Sequence, residues 1–291
     1  MSEFSDNYMI GINHILQTTF HQSGWIISRP PYGQQKECYV ARRGYQAVFL
    51  KFDVAVEILQ RLSDLGVAPE VLGSGTIEGR SYILQKYLVS THPKWTWFAD
   101  HLPLLAQITK RYHTDSELTQ LLSNRASLNY YEYVLSDLEI LEQQIISFHI
   151  EQHLAAALRD ILIELKLQAS QLSHVSLAPV HADPNPQNIL LYQNTLVLAD
   201  WDEILLSDPM RDVGQWLCWY VSQSRWYEFC ENYGISFNQH LVERIFWWAA
   251  RASFANVLWH AKQHYNYIGF LKDCIAALHH DIVPHQVFES S

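Results

Sequence analysis

The spacing of apolar residues changes close to residue 90, and this change constrains the fold more than any other feature. Before it, apolar runs are short, rich in β-forming residues and interrupted by glycine and proline. One helical spacing, over residues 54–65, lies among them and ends before Gly66 and Pro69. The pattern predicts an antiparallel sheet with one helix, and the strands are expected at residues 25–28, 37–41, 47–52 and 81–88.

Beyond residue 90 the apolar spacing becomes long and helical, which predicts a mainly α-helical part. One group of short strand-like runs lies within it, with a polar turn at Gln193 and Asn194. The chain is therefore predicted to be an α+β protein with a first domain at residues 1–88 and a second at 89–291. The helices are expected at residues 102–112, 130–149, 153–172 and from 212 onward, and the strand-like runs at 177–180, 189–192 and 196–199.

Composition and charge limit which binding partners and which cellular location we expect for the protein. Thirty acidic and twenty basic residues give a formal charge of -10, which argues against nucleic acid and anionic membrane as partners and favours cationic ones. The cysteines, Cys38, Cys218, Cys230 and Cys274, are scattered in apolar surroundings, which is typical of reduced thiols. The first twenty residues lack a signal-peptide pattern and no apolar run reaches membrane-spanning length, so we expect a cytoplasmic protein.

A polar loop between strand-like runs carries the residues that favour one chemistry. Residues 180–191 read VHADPNPQNILL, with Asp183 and Asn188 five positions apart, and residues 197–202 read VLADWD, so that a strand ends on Asp200. Phosphoryl transfer needs a carboxylate that orients and deprotonates the attacking hydroxyl group, and it needs oxygen ligands that hold Mg²⁺ against the phosphates. Asp200 and Asp202 alone also fit the metal-binding DxD pattern of many glycosyltransferases, but the preceding loop favours phosphoryl transfer.

These residues resemble the aminoglycoside phosphotransferase and choline kinase family, whose loop reads H-G-D-x-x-x-x-N and whose later strand ends I-D-W/F-E/D. The resemblance implies a two-lobed, protein kinase-like fold, with a small antiparallel sheet and one helix in the N-lobe and a larger, mainly α-helical C-lobe. The chain departs from the family at Ala182, Asn185 and Gln187, which alter the loop but not its reactive groups. The matching residues are His181, Asp183, Pro186 and Asn188, then Asp200, Trp201 and Asp202, then Asp208, Pro209 and Asp212.

The resemblance also implies roles for the residues of the loop. Asp183 is expected to be the catalytic base, with His181 supporting the loop, and Asn188 and Asp200 are expected to bind Mg²⁺. The phosphoryl donor is then ATP or GTP, between which the sequence does not decide. Asp212 precedes a helical run, so a helix cap is an alternative role for the carboxylates of Asp208 and Asp212.

The first part of the chain is expected to bind the nucleotide. Lys51, at the end of a strand, is placed where kinases keep the lysine that contacts the α- and β-phosphates. Glu57 is the candidate partner for its ammonium group, with Glu70 and Glu78 as alternatives in loops. Gly33 is a candidate for the phosphate-covering loop, although an ordinary hairpin turn explains it equally well. Residues 85–87, which are Gln85, Lys86 and Tyr87, are expected to form the hinge whose backbone pairs with the purine.

The phosphate acceptor is expected to be a small molecule with a hydroxyl group, bound by the helical part. Aromatic faces beside acidic groups can hold a cationic amine, which agrees with the acidic net charge, but aromatic residues at helical spacing are more often core residues. Amino-sugars, amino alcohols, vitamin alcohols and simple sugars all stay open as acceptors. The aromatic residues in question are Trp216, Trp219, Tyr220, Trp226, Tyr227, Trp247, Trp248, Trp259 and Tyr265.

Two other functions compete with the small-molecule kinase. The first is a kinase-fold protein that binds a nucleotide for regulation and transfers little or no phosphoryl group. The single glycine of the expected phosphate loop and the short sequence spacing between Lys51 and Glu57 leave this function open. The second is a DxD glycosyltransferase. Together, Asp183, Asn188 and Asp200 favour the kinase over both.

Overall fold

The computed structural model describes residues 4–30, 37–123, 129–193, 195–282 and 284. The chain divides into two compact units. The first comprises Met1–His92 and Ile189–Asp202, and the second comprises Pro93–Asn188 and Glu203–Ser291. The domain boundary after residue 88 stays a prediction.

The first unit contains a five-stranded antiparallel sheet, as predicted, with strand order β1-β2-β3-β5-β4. All four predicted strands are present with slightly different ends, and β4 adds one that the sequence pattern did not predict. The hairpin between β4 and β5 turns through Glu78 and Gly79, which both have positive φ, at 50° and 79°. This backbone follows the twist of the strands and suits glycine. The strands are β1 (Ile26–Ser28), β2 (Cys38–Arg43), β3 (Gln46–Phe52), β4 (Val71–Ile77) and β5 (Arg80–Lys86).

Helices α1 (Phe4–Phe20) and α2 (Val56–Asp64) accompany the sheet. The predicted helix at residues 54–65 is confirmed as α2, which turns Ile58, Leu59 and Leu62 inward. The sequence pattern did not predict α1. It covers one face of the sheet, where its buried side chains Ile12, Ile15 and Leu16 form one core with Trp25, Ala41, Val48, Leu50, Phe52 and Leu84.

A second hairpin belongs to the first unit although it follows much later in the chain. It consists of β7 (Ile189–Tyr192) and β8 (Thr195–Leu198), and both strands were predicted. The N–H of Leu198 donates to the carbonyl of Val67 at 2.8 Å, and Thr91 and Leu191 exchange two backbone hydrogen bonds. The turn of this hairpin was predicted at Gln193 and Asn194, and Asn194 lies outside the described residues.

The second unit is mainly α-helical, as predicted, with the short strands β6 (Ala178–Val180) and β9 (Leu205–Ser207) paired antiparallel. No helix in the described parts of the chain combines the length and apolar character needed to cross a membrane. The helices are α3 (Trp95–Asp100), α4 (Leu102–His113), α5 (Ser116–Ser123), α6 (Tyr130–Ser147), α7 (Gln152–Ala169), α8 (Met210–Tyr220), α9 (Trp226–Tyr233), α10 (Gln239–Lys262) and α11 (Ile268–Leu278).

Helix α10 lies in the core of this unit and packs against α8 and α11. Gly214 of α8 allows a close approach: a Cβ atom there would lie 2.8 Å from the carbonyl oxygen of Ile245 and 3.2 Å from the amide nitrogen of Ala249. Since both are backbone atoms, a larger residue at this position would push the two helices apart. The contact places α8, and with it Asp212, firmly in the core.

Candidate active site

The polar loop at residues 181–188 connects β6 to β7 and ends in a single 3₁₀ turn, Pro186–Asn188. The backbone at its start is held by Asp212 of α8. The N–H groups of His181 and Ala182 each donate to the Asp212 carboxylate at 2.8 Å. The same carboxylate accepts from the Tyr112 hydroxyl at 2.8 Å and from His113 Nε2 at 3.1 Å.

The bonds to Asp212 stabilise a backbone conformation that alanine rarely adopts. Ala182 has a φ of 71°, in the left-handed region that favours glycine. An L-residue in this conformation costs about 1–2 kcal/mol. The paired N–H bonds offset this cost, which accounts for alanine at a position where the related family usually has glycine.

The Asp212 side chain is fully buried, yet its pKa lies below the ordinary value. Burial raises this pKa, but the hydrogen bond from His113 and the backbone N–H of His181 lower it by more. Asp212 is therefore an ionised anchor of the loop rather than a helix cap. The N-cap of α8 is Pro209, which has no capping side chain, and the N–H of Met210 at the start of the helix donates to Oδ1 of Asp208 at 2.8 Å.

Asp183 lies at the centre of the loop with an exposed side chain. Asn185 Nδ2 donates to its Oδ1 at 3.0 Å, and Asn188 Nδ2 donates to its Oδ2 at 3.1 Å and to its carbonyl oxygen at 2.9 Å. The N–H of Asp183 donates to Nδ1 of the buried His181 at 3.3 Å, which places the ring proton on Nε2 if the imidazole is neutral. The structure thus brings Asp183, His181 and Asn188 together and fixes the direction of the carboxylate.

An indole group supports the loop from the interior. Trp216 of α8 is buried, and its Nε1 donates to the carbonyl of Pro184 at 2.6 Å. From Trp216, aromatic rings continue toward the surface through Phe98, which stacks on Tyr220 with ring centroids 4.4 Å apart. Trp95, at 43% exposure, lies 5.8 Å from Tyr220 between ring centroids. A row of packed aromatic rings therefore runs from the loop at residues 181–188 to the exposed Trp95.

The first unit brings Lys51 to the end of β8. Lys51 lies on β3 opposite Cys38 of β2, and its side chain is only 10% exposed. Its ammonium group Nζ lies 3.1 Å from Asp200 Oδ1 and 2.5 Å from Asp202 Oδ2. The Asp200 carboxylate is 54% exposed and that of Asp202 is 15% exposed. Two of the predicted site residues, Lys51 and Asp200, thus lie in contact.

The expected pairing of Lys51 with Glu57 is not seen among the described residues, where Lys51 contacts Asp200 and Asp202 instead. Glu57 is in the first turn of α2 with an exposed side chain, and the described residues contain no ion pair between it and Lys51. The connection from β3 to α2 is short, since β3 ends at Phe52 and α2 begins at Val56. Glu57 therefore lies in the first turn of α2, only six positions after Lys51.

The segment expected to form the hinge lies at the end of β5. Gln85 is buried and its side chain donates to the carbonyl of Pro69 at 3.1 Å. The N–H of Lys86 donates to the carbonyl of Glu70 at 2.8 Å, and that of Tyr87 donates to the carbonyl of Ala47 at 3.2 Å. Sheet contacts therefore occupy both N–H groups, and their pairing with a purine stays a prediction. The predicted phosphate-loop residue Gly33 lies outside the described residues.

The aromatic residues of the helical part separate into two groups. Trp216, Trp219, Trp226, Trp247 and Trp248 are buried, so the core interpretation applies to them. Tyr227, Trp259 and Tyr265 are exposed by 51%, 45% and 57%, and Tyr220 is partly exposed. Burial and the nearby carboxylate of Asp273 raise the pKa of Tyr220. The negative charge of Asp273 therefore acts on the ring of Tyr220.

Sequence reasoning left several of these contacts unassigned. It matched Asp202 to the family pattern without giving it a role, although its spacing from Asp200 was visible. Tyr112 and His113 had no signal at all, because they are about a hundred positions from Asp212. Trp216 was recorded only as an aromatic residue at helical spacing.

Comparison with known protein families gives a match over most of the chain. The sequence model described as "APH: Phosphotransferase enzyme family" matches residues 33–255. The match includes Lys51, the loop at residues 181–188, the end of β8 and Asp212.

Solved structures with the same fold include kinases that act on small molecules. Choline kinase LicA from Streptococcus pneumoniae aligns with a TM-score of 0.68 at 16% identity, over 94% of this chain and 100% of that chain. A choline kinase from Cryptosporidium parvum Iowa II aligns with a TM-score of 0.71 at 11% identity, over 95% and 98%. Aminoglycoside phosphotransferase APH(4)-Ia, in a ternary complex with AMP-PNP and hygromycin B, aligns with a TM-score of 0.62 at 15% identity, over 92% and 95%. These similarities confirm the predicted protein kinase-like fold.

Proposed function

Because this chain belongs to the phosphotransferase enzyme family, we propose that it transfers the γ-phosphoryl group of ATP to a hydroxyl group of a small molecule. One observation carries the proposal. Asp183, exposed on a loop whose backbone is anchored by Asp212, has its carboxylate oriented by the side-chain amides of Asn185 and Asn188. A fixed and accessible carboxylate is what a general base for hydroxyl attack requires.

Asp183 is the proposed catalytic base. It accepts the proton of the acceptor hydroxyl as that oxygen bonds to the γ-phosphorus and the bond from phosphorus to the leaving oxygen of ADP breaks. His181 supports this residue rather than reacting, because it is buried and receives the N–H of Asp183. Asn188 ties the side chain and the carbonyl of Asp183 to the end of the loop.

Asn188 and Asp200 are the residues that would hold Mg²⁺. They fit this hard cation because both offer oxygen. The amide nitrogen of Asn188 faces Asp183, and its Oδ1 accepts no hydrogen bond from the described residues. Only Oδ1 of the Asp200 carboxylate is bonded within the described parts of the chain, to Lys51. When bound, Mg²⁺ offsets the negative charge of the β- and γ-phosphates.

The nucleotide is the proposed ligand of the first unit. Lys51 supplies a positive charge at the end of a rigid strand, suited to the α- and β-phosphates. The AMP-PNP bound to the structural relative APH(4)-Ia supports an adenine nucleotide. GTP stays open as an alternative, as does a role for Gly33 in covering the phosphates.

The acceptor is proposed to be an alcohol that carries an amine. The partly exposed rings of Trp95 and Tyr220 follow Trp216, which contacts the loop at residues 181–188, and the charge of the Asp273 carboxylate raises the pKa of Tyr220. Aromatic faces stabilise an ammonium group by about 0.5–2 kcal/mol each. A choline kinase among the structural relatives agrees with this class. A simple sugar or a vitamin alcohol would instead use the rings for stacking alone.

A phosphotransfer screen with Asp183→Asn tests the proposal. The screen offers ATP, Mg²⁺ and aminoglycosides, amino alcohols, sugars or vitamin alcohols, and it measures ADP release and the phosphorylated product. With an accepted substrate, we expect kcat to fall by about 10²–10⁴-fold in the variant while nucleotide affinity stays within about threefold. Asp160→Asn, the same change at an exposed position of α7, should keep full activity. Turnover within tenfold of wild type in Asp183→Asn would refute the assignment of the base.

Thermal shifts separate this function from its alternatives. A small-molecule kinase should be stabilised by ATP with Mg²⁺ and should turn over an acceptor. A regulatory protein with the same fold should be stabilised by the nucleotide but give no product in the complete screen. A glycosyltransferase should respond to a nucleotide sugar with Mn²⁺ and not to ATP.

A further inference from the structure

The Lys51 ammonium group is buried and must have anionic partners. Its side chain is 10% exposed, and a charge removed from water to this degree is costly unless it is paired. The proposed function requires the Lys51 ammonium group in a defined position, because it contacts the nucleotide phosphates. The residue that holds it is therefore part of the nucleotide site.

The acidic residues nearest to Lys51 in the sheet are already engaged. Asp53 follows β3, and Glu37 precedes Cys38, the residue opposite Lys51. Both carboxylates bond to Arg80, Asp53 through Nε and Nη2 and Glu37 through Nη1 at 2.7 Å. With Glu57 exposed on α2, the carboxylates at the end of β8 are the ones that reach Lys51.

Of these two carboxylates, Asp202 is the better placed to hold the lysine permanently. Its Oδ2 lies 2.5 Å from Lys51 Nζ, and its side chain is 15% exposed, whereas Asp200 lies at 3.1 Å with 54% exposure. Asp202 is part of the 3₁₀ turn Trp201–Glu203, in which Trp201 is buried and its Nε1 donates to the carbonyl of Leu198 at 2.8 Å. The indole thus fixes the turn that carries Asp202 to the end of β8.

We propose that Asp202 is the positioning residue of Lys51, in the role that sequence reasoning gave to Glu57. Asp202 acts through the lysine: it keeps the ammonium group at the end of β3 and in one orientation before the nucleotide arrives. The exposed Asp200 is then available as the metal ligand, because Asp202 alone still balances the lysine charge. The inference rests on the proposed function, in which Lys51 contacts the phosphates.

The test measures ATP affinity in EDTA, without metal, by isothermal titration calorimetry. We expect Asp202→Asn to weaken this affinity by about tenfold or more, comparable with the loss of one charge-assisted hydrogen bond. Because Asp202 acts through Lys51, the double variant Lys51→Met with Asp202→Asn should bind no worse than Lys51→Met alone. Asp202→Glu, which keeps the charge, should recover part of the loss and serves if the asparagine variant does not fold.

The alternatives give different patterns in the same titration. If Asp202 is only a metal ligand, Asp202→Asn will leave affinity in EDTA unchanged and raise the Mg²⁺ concentration that gives half-maximal turnover. If Glu57 holds the lysine, Glu57→Gln will reproduce the loss. Either result overturns the inference while leaving phosphotransfer by the wild type intact. A wild type that binds no ATP and phosphorylates no acceptor would instead overturn the proposed function, and this inference with it.

Discussion

The replacement Asp212→Asn gives the most stringent test of how the loop at residues 181–188 is held. In the wild type, Oδ1 of Asp212 accepts one hydrogen bond, from the N–H of Ala182, and Oδ2 accepts three, from Tyr112, His113 and the N–H of His181. The best orientation of the new amide keeps its oxygen at the position with three bonds. Its NH₂ group then faces the N–H of Ala182, and because both groups are donors, no hydrogen bond forms between them.

The cost follows from these contacts. A hydrogen bond to a charged group contributes about 1.5–3 kcal/mol, and a buried donor left without an acceptor costs about 1–3 kcal/mol. The loss at Ala182 and the weakening of the other three bonds should lower the free energy of unfolding by about 3–5 kcal/mol at pH 7. Against a typical total of about 5–15 kcal/mol, the variant should fold but be clearly less stable.

Urea unfolding followed by tryptophan fluorescence measures this difference, since the chain has ten tryptophans. Asp160→Asn is the matched control, because the same change at an exposed site of α7 should alter stability by no more than about 0.5 kcal/mol. The pH dependence provides a second readout. The folded-state pKa of Asp212 is lowered, so its ionised form stabilises the protein above its ordinary pKa, and the stabilisation is lost as the pH falls through the folded-state value.

The wild type and Asp212→Asn should therefore become more alike in stability as the pH falls below about 4. A difference of less than about 1 kcal/mol at pH 7, or one that does not shrink in acid, would refute this account of the loop.

Three further predictions concern helix packing, the loop backbone and the cysteine thiols. Gly214→Ala should lower the free energy of unfolding by about 1–3 kcal/mol because its Cβ would meet the backbone of α10, whereas Gly269→Ala, in α11 with nothing within 4 Å, should raise it by up to about 1 kcal/mol in the same urea titration. Ala182→Gly should be neutral or slightly stabilising in that assay, since glycine adopts a φ of 71° without strain. Burial raises the pKa of Cys230 to about 11 and that of Cys274 to about 12, and all four thiols are buried; a thiol reagent at pH 8 should label less than one thiol per native chain and four in urea.

The spacing of apolar residues along the sequence predicted those elements of the fold that depend on residues close together in the chain. Strands β2, β3 and β5 and helix α2 follow from runs and spacings visible in the sequence. Strand β4 was missed because Gly73 and Gly75 read as turn residues. A Cβ at Gly73 would lie 3.1 Å from Thr19 of α1, so at least one of these glycines serves close packing between α1 and the sheet.

The candidate site shows the same division between local and distant information. Asp183 and Asn188 are five positions apart on one loop, and their contact follows from that spacing. The partner of Lys51 does not, because Asp202 lies 151 positions further along the chain. Sequence reasoning chose the nearby Glu57, and only the packing of the β7–β8 hairpin within the first unit reveals the nearer carboxylates.

That hairpin has a consequence for the order in which the protein can fold during synthesis. When the ribosome has made residues 1–92, the emerging chain still lacks residues 189–202, which complete the first unit. Until then Lys51 has neither Asp200 nor Asp202, and the carbonyl of Val67 lacks the N–H of Leu198. The end of the sheet that carries Lys51 can therefore mature only after residue 202 has left the exit tunnel, and a nascent chain arrested earlier would lack both carboxylate partners of this lysine.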